Sequence, residues 1–276
     1  MRKFKWKINS VIFLSLLSVA VTTLYPLIYV AITSSRTLED YGKNAYGIPN
    51  FYTLDNFRIL INNYSLGSAA KNTITVVGIS LLASIILSSL AGFGLAKYDF
   101  PGSRLISWSF ISVMLLPSQI LIIPIYLLLS KVGLVGHLPG LIFVYIGTNI
   151  PFGVFFLKSV FSKVPDSILE ASKIDGAGFF RSFFSVALPS AAAGITTLAL
   201  LQFLGMWNEL LYAYLILPDQ SQRLLTPALA SIGGRYTTNQ PLVAAALVIT
   251  AAPTILLLIM SSKFLVRGTS TGIGSS

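Results

Sequence analysis

The sequence contains no cysteine and a single histidine, His137. Without thiols there is no disulfide and no thiolate nucleophile, and one imidazole does not make a Cys/His metal site. Charge is scarce as well. Asp, Glu, Lys and Arg make up 10% of 276 residues and only 9 residues are acidic, against about 25% charged in a typical soluble domain. No stretch carries the glycine-rich pattern that cradles nucleotide phosphates. No paired carboxylates or Ser/His constellation offers an enzyme site. The chain is therefore expected to bind no cofactor or metal and to perform no catalysis of its own.

What the chain has in abundance is apolar length. Hydrophobic residues reach 54% and the mean hydropathy is +0.79, the composition of an integral membrane protein. Runs able to cross a hydrocarbon core of about 30 Å lie at residues 8–32, 70–96, 105–130, 138–161, 186–217 and 241–264. The first follows Arg2, Lys3, Lys5 and Lys7 and is too long for a cleavable leader, so it is expected to remain as a span. The net charge of +10 is a topology signal and not a nucleic-acid signal. With six spans, about 12 of the Lys and Arg residues fall on the side of both termini and about 7 on the other. That places the N-terminus, the loop at 158–185 and the C-terminus in the cytoplasm. Small residues recur in the second and sixth runs, among them Ser84, Ser88, Ser89 and Gly92, then Ala244, Ala245 and Ala246. They allow helices to approach closely where lipid removes any hydrophobic force between them.

One polar insert reads as a structured element. Pro165-Asp166 is a helix start and Asp175-Gly176 a helix stop, which predicts a helix of two to three turns. At 100° per residue Val164, Ile168, Ala171 and Ile174 share one face, and Asp166, Glu170 and Lys173 project from the opposite side. Gly176 lets the chain turn sharply afterwards. Held outside a membrane between two spans, such a helix suits a grip by another protein.

Leu169-Glu170-Ala171-Ser172, followed by Asp175-Gly176-Ala177, then Phe184 and Leu188-Pro189, resembles the EAA loop of ABC importer permeases, with Ser172 where alanine is usual. Ala91-Gly92-Phe93-Gly94-Leu95-Ala96-Lys97-Tyr98 with Phe100-Pro101-Gly102 is similar to a signature of the carbohydrate-uptake, maltose-transporter-like branch. So are Pro117, Ile123-Pro124-Ile125-Tyr126, Gly133-Leu134 and Pro151-Phe152 farther on. Between residues 33 and 69, Ile48-Pro49 and Leu54-Asp55-Asn56-Phe57 resemble the family's first outer segment. That segment is aromatic enough to be expected folded against the outer mouth. The tail, Phe264 to Gly268 with Thr269 and Gly272, resembles the family ending except that Ser275-Ser276 replace the usual Lys-Gly.

Trp207-Asn208-Glu209 resembles the WNE triplet of sugar-importer permeases. A carboxylate at membrane depth costs a few kcal/mol unless paired or wetted. Two readings stay open: Asn208 and Glu209 line the pathway or bridge to a partner subunit, with Trp207 facing a sugar ring, or Glu209 caps against backbone or Tyr212 near the membrane interface. His137 is expected in an exposed outer turn, and Gly233-Gly234 with Arg235 and Tyr236 in an outer loop.

The resemblance implies an all-α membrane protein with six transmembrane helices in the type I ABC importer permease fold, both termini cytoplasmic. It implies one transmembrane domain, with an N-terminal helix and outer loop at 1–69, a core five-helix unit at 70–264 containing the coupling loop 162–187, and a cytoplasmic tail at 265–276. The implied partners are a second permease subunit, two ATP-binding-cassette ATPase subunits that hold ATP and Mg, an extracytoplasmic solute-binding protein and the lipid bilayer of a bacterial or archaeal cytoplasmic membrane. The residues assigned to ATPase coupling are Pro165, Asp166, Leu169, Glu170, Ala171, Ser172, Asp175, Gly176, Ala177, Leu188 and Pro189. The implied cargo is a carbohydrate. A polyamine, phosphonate or peptide, or ATP-independent secondary transport, are the competing expectations.

Overall fold

The computed structural model describes residues 2–234 and 239–270, with side chains over 10–232 and 239–261. Arg235, Tyr236, Gly272, Ser275 and Ser276 lie outside the described residues. Those described form helices and turns with no strand. In chain order the helices are α1 (Arg2–Ser34), α2 (Leu38–Lys43), α3 (Asp55–Asn63), α4 (Leu66–Lys97), α5 (Ser103–Met114) and α6 (Ile122–Lys131). Then come α7 (Leu138–Phe161), α8 (Asp166–Ile174), α9 (Phe179–Ser182), α10 (Leu188–Ser190), α11 (Ala192–Trp207), α12 (Leu211–Ile216), α13 (Leu225–Gly234) and α14 (Gln240–Ser270). A 3₁₀ turn, Ser118–Leu121, precedes α6, and a π-helical turn, Phe183–Ala187, joins α9 to α10.

Four stretches, Ser10–Ser34, Leu66–Lys97, Leu138–Phe161 and Gln240–Ser261, are long and apolar enough to cross a membrane. The third and fifth expected spans are not single rods. Ser103–Met114 meets Ser118–Lys131 at 92°, and Phe179–Ser190 meets Ala192–Trp207 at 78°. Pro117 explains the first break: it has no N–H to continue the ladder, and it biases Leu116 away from helical geometry. At the second, Ala191 leaves helical geometry (φ −93°, ψ 2°) just after Pro189 and the π-helical turn. Counting each bent pair as one span gives six. Gly233 and Gly234 end helix α13, not an outer loop. Helix α14 runs to Ser270, through the start of the expected tail.

Two compact units emerge. One comprises residues 1–66 and 228–253, the other 67–227 and 254–276. In the first, the segment after α1 is folded, but the aromatic residues are not what orders it. Tyr46, Phe51 and Tyr52 are exposed, and the buried centre is Arg36. Its Nε donates to Asp40 Oδ2 (2.7 Å), and its other nitrogens donate to the carbonyls of Asp40, Asn44, Ala45 and Gly47. Asp40 Oδ1 accepts from the Asn50 side chain (2.9 Å), and Asn56 Nδ2 donates to the carbonyls of Ser34 and Arg36. A buried guanidinium has five donors to satisfy, and here the loop's carbonyls and one carboxylate satisfy them.

The second unit holds two apolar cores. One gathers Val76, Val77, Leu141, Tyr145, Met206 and Ile216 from α4, α7, α11 and α12. The other is centred on Phe93, whose ring lies 5.3–5.7 Å from those of Tyr98, Phe161, Phe179 and Phe183. Small residues let these helices touch. A methyl on Gly153 of α7 would sit 2.8 Å from Ser88 Cβ on α4, and one on Gly92 would meet Leu157 Cβ and Lys158 N at 3.0 Å. Asn72 Nδ2 donates to the Ser221 and Arg223 carbonyls, and Thr73 Oγ1 accepts from Leu225 N (2.8 Å), which fastens the chain after α12 to α4.

Candidate functional site

Helix α8 is bounded by local chemistry. Pro165 stands at the N-cap and Asp166 in the first turn, where a carboxylate complements the helix dipole. At the other end Gly176 adopts φ +78°. Its N–H donates to Lys173 O and that of Ala177 to Ser172 O, each at 3.0 Å, a Schellman closure that needs a left-handed residue at this position.

The helix is pinned from three directions. Lys97, the last residue of α4, donates from Nζ to Val164 O (2.6 Å) and Asp166 Oδ1 (2.7 Å). Leu169 is buried in the Phe93 core together with Val164. Ser172 Oγ lies 3.0 Å from Ser182 Oγ of α9, and Lys173 Nζ sits 5.3 Å from the centre of the Tyr98 ring. Of the coupling-loop residues proposed from sequence, Leu169 and Ser172 thus face inward, and Leu188 packs partly against the same core. Ala177 is half-buried; Pro165, Asp166, Glu170, Ala171, Asp175, Gly176 and Pro189 are at the surface or partly so.

The face shared by Val164, Ile168, Ala171 and Ile174 is mostly open. Val164 is buried, but Ile168 is 47% exposed, Ala171 is exposed, and Ile174 is 86% exposed. Seen down the helix axis, Leu169 and Ser172 point about 130° away from Ile168, Ala171 and Ile174, and the Leu169–Ser172 side faces the Phe93 core. Ile168, Ala171 and Ile174 form an unpartnered apolar stripe, flanked by exposed Glu170. Phe184 is likewise exposed, while Phe183 fills the core. A polar cavity of about 280 Å³ runs beside α8, lined by Lys97, Asp99, Asp166, Glu170 and Lys173.

A second constellation lies where broken helices converge. Glu209, in the gap between α11 and α12, accepts from Tyr212 N at Oε1 (2.9 Å) and from Ala213 N at Oε2 (3.0 Å). It caps the first-turn amides of α12, which have no partner within the helix, and Tyr145 of α7 donates its hydroxyl to Oε2 (3.1 Å). The capping arrangement is therefore present. The same carboxylate also lines a cavity of about 280 Å³ with Ser118, Gln119, Tyr145, Asn149 and Tyr212. Ser118 and Gln119 come from the break in the third span and Glu209 from that after α11, so both irregular backbones open on one space. Irregular backbone at membrane depth is tolerated where protein or a water-lined cavity surrounds it.

Trp207 has its ring stacked on Phe203 (5.4 Å between centres) and is buried. Asn208 is exposed and donates to Leu204 O at 2.8 Å. His137 is exposed immediately before α7. Sequence reasoning missed the polar thread behind the cavity. Ser84 is hydrogen-bonded to Gln202 Oε1, Gln202 Nε2 donates to Asn149 O (3.0 Å), and Asn149 Nδ2 donates to Tyr145 O (2.8 Å). A lone amide in the apolar run 192–206 was the signal that pointed there. Lys97 was visible only as part of a motif, with nothing in its neighbours to pair it with Asp166.

A family model described as "Binding-protein-dependent transport system inner membrane component" matches residues 84–270. The diacetylchitobiose uptake system permease protein NgcG of Streptomyces coelicolor is 29% identical, over 92% of this chain and 84% of its own. The melibiose/raffinose/stachyose import permease protein MelC of Bacillus subtilis is 29% identical over 99% of each chain. The fold is that of a chain in the crystal structure of a bacterial ABC transporter for the acidic polysaccharide alginate (TM-score 0.80, 20% identity, 93% of this chain and 96% of that one). A chain of a bacterial alginate ABC transporter solved with an alginate pentasaccharide-bound periplasmic protein superposes at TM-score 0.68, with 16% identity over 97% and 96% of the two chains. With over half its length matched by the family model, this multi-pass membrane chain belongs to the binding-protein-dependent transport system inner membrane components.

Proposed function

We propose that the chain is one permease subunit of an ATP-driven importer that carries a carbohydrate across a cytoplasmic membrane. The observation that carries the reading is the build of α8, which is rigidly held on one side and unpartnered on the other. Leu169, Ser172, Lys97 and the Schellman turn transmit any push on the helix to α4, α7 and α9, while Ile168, Ala171 and Ile174 offer the push a surface. An ATPase subunit gripping that stripe moves the attached spans between two packings, and the free energy comes from its preference for one of them.

The same reading assigns ATP and Mg to two partner ATPase subunits, since this sequence lacks a phosphate-cradling loop. Helix α1, with no buried residue between positions 10 and 27, has apolar surface all round for lipid and a second permease. The Lys and Arg distribution puts α8 and both termini in the cytoplasm. An extracytoplasmic binding protein delivers cargo, as the alginate complex illustrates for its own system. Cargo class follows the relatives named for oligosaccharide uptake, and the cavity beside Glu209, with its amide and hydroxyl lining, suits a polyhydroxyl solute.

The test is sugar-stimulated ATPase activity and uptake by the reconstituted assembly carrying Ile174→Asp or Gly176→Pro. Uptake is expected to fall by about tenfold or more, equivalent to about 1.4 kcal/mol of coupling, at unchanged assembly. Full uptake in both variants, or uptake without any ATPase subunit, would refute the reading.

A further inference from the structure

A cavity of about 260 Å³ separates α5 from α7 at the α8 end of the bundle, lined by Leu95 of α4, Ser107 and Phe110 of α5, and Phe155, Lys158 and Ser159 of α7. It is distinct from the cavities beside α8 and Glu209. Most of its wall is apolar, yet it contains one ammonium. Lys158 Nζ donates to Ser107 Oγ at 2.8 Å, and among the described residues Lys158 forms no ion pair. No carboxylate lines the space.

A half-buried cation beside apolar side chains keeps its charge at a cost unless an anion answers it. One neutral hydroxyl is a weak answer. The last turn of α7 adds the field of the helix C-terminus, and two ammonium protons remain for another acceptor. The Ser159 hydroxyl, on the same wall, is suited to a phosphate oxygen, whereas that of Ser107 is donated to Ser103 O at 2.9 Å. Arg104, one turn before Ser107, adds positive charge at an exposed position.

We propose that this cavity holds the phosphate of an anionic phospholipid, with an acyl chain following the groove between Phe110 and Phe155. A lipid fits better than free phosphate because the apolar wall continues outward. Leu105 and Trp108 on α5 are 72% and 65% exposed and Phe155 is 47% exposed, a surface for hydrocarbon with an indole at headgroup level. Basic pockets between spanning helices are a recurring site for such headgroups. The inner leaflet follows from the proposed orientation of the chain; binding itself does not depend on transport or on the cargo.

The experiment is native mass spectrometry of the purified, fully assembled transporter in detergent, titrated with phosphatidylglycerol or with phosphatidylcholine of the same acyl chains. Wild type and Lys158→Arg are expected to retain phosphatidylglycerol, and Lys158→Gln to retain several-fold less. Phosphatidylcholine should show no difference among the three. Ser159→Phe, which fills the cavity and leaves every charge in place, should lower retention as Lys158→Gln does, and serves if the latter fails to assemble. Equal phosphatidylglycerol retention by wild type and Lys158→Gln, or by wild type and Ser159→Phe, overturns the proposal. So does displacement of the lipid by inorganic phosphate alone, which would make the site one for a free anion.

Discussion

Lys97 Nζ lies 2.7 Å from Asp166 Oδ1 and 2.6 Å from Val164 O, so the last residue of one long apolar helix holds both the first residue of α8 and the backbone that leads into it. The two contacts differ in strength. Asp166 is 75% exposed and Lys97 only 6%; an ion pair open to solvent on one side is worth about 1 kcal/mol or less.

Asp166→Asn is therefore expected to leave uptake within about twofold of wild type. Lys97→Met removes the ammonium from both acceptors while keeping the apolar stem. It should uncouple ATPase activity from uptake more severely than Asp166→Asn at equal expression. Paired uptake and ATPase assays on the two variants check the order.

Glu209 takes two backbone amides and one tyrosine hydroxyl. Glu209→Ala should lower the stability of the assembly by about 1–2 kcal/mol, the usual cost of a lost cap, seen as a lower thermal midpoint. Glu209→Gln retains one oxygen and should recover part of the loss. A direct role in sugar binding would instead show as a raised KM in Glu209→Gln with an unchanged midpoint.

The Arg36 guanidinium, hydrogen-bonded to Asp40, holds that carboxyl below the usual carboxylate range. A lowered folded-state value means that the carboxylate contributes stability above its ordinary range, and that the contribution is lost as pH falls through the lowered value. Amide exchange across residues 36–50 should stay slow at neutral pH and rise, relative to α7 in the same sample, only as pH drops below the ordinary carboxylate range. Arg36→Gln should give fast exchange already at neutral pH.

Gly153 and Ser88 set the spacing of α7 on α4. A methyl at 153 would overlap Ser88 Oγ and meet Ser88 Cβ at 2.8 Å, so Gly153→Ala must push the helices apart, at about 1–3 kcal/mol. Gly153→Ala with Ser88→Gly should restore much of the thermal midpoint lost by Gly153→Ala alone.

The ends of α8 were legible because they are local: Pro165-Asp166 and Asp175-Gly176 carry start and stop chemistry within a few residues, and the helix runs from Asp166 to Ile174. Its facing was not legible. Which side turns inward depends on Phe93, brought in from the distant α4, meeting Phe161, Phe179 and Phe183 from the segments that flank α8. The breaks in the third and fifth spans escaped for another reason: hydropathy averaged over about 20 residues is blind to a turn of three. Pro117 was in view, but a proline alone is equally consistent with a mild kink. In the 33–69 segment the aromatic side chains drew attention, whereas the ordering centre is one arginine whose acceptors are mostly backbone carbonyls, which leave no mark in a sequence.

Under the proposed function, the Ile168–Ala171–Ile174 stripe of α8 is the surface an ATPase subunit grips. Because the chain contains no cysteine, a single introduced thiol reports its position without background from this subunit. The decisive measurement is disulfide cross-linking of Ala171→Cys, and of Leu169→Cys as its inward-facing control, to cysteines placed across the membrane-facing surface of the partner ATPase in the assembled transporter. Rapid cross-linking is expected from position 171, altered in rate by ATP, and none from position 169. Equal cross-linking from both positions, or none from position 171 in an assembly that still imports, would contradict that assignment.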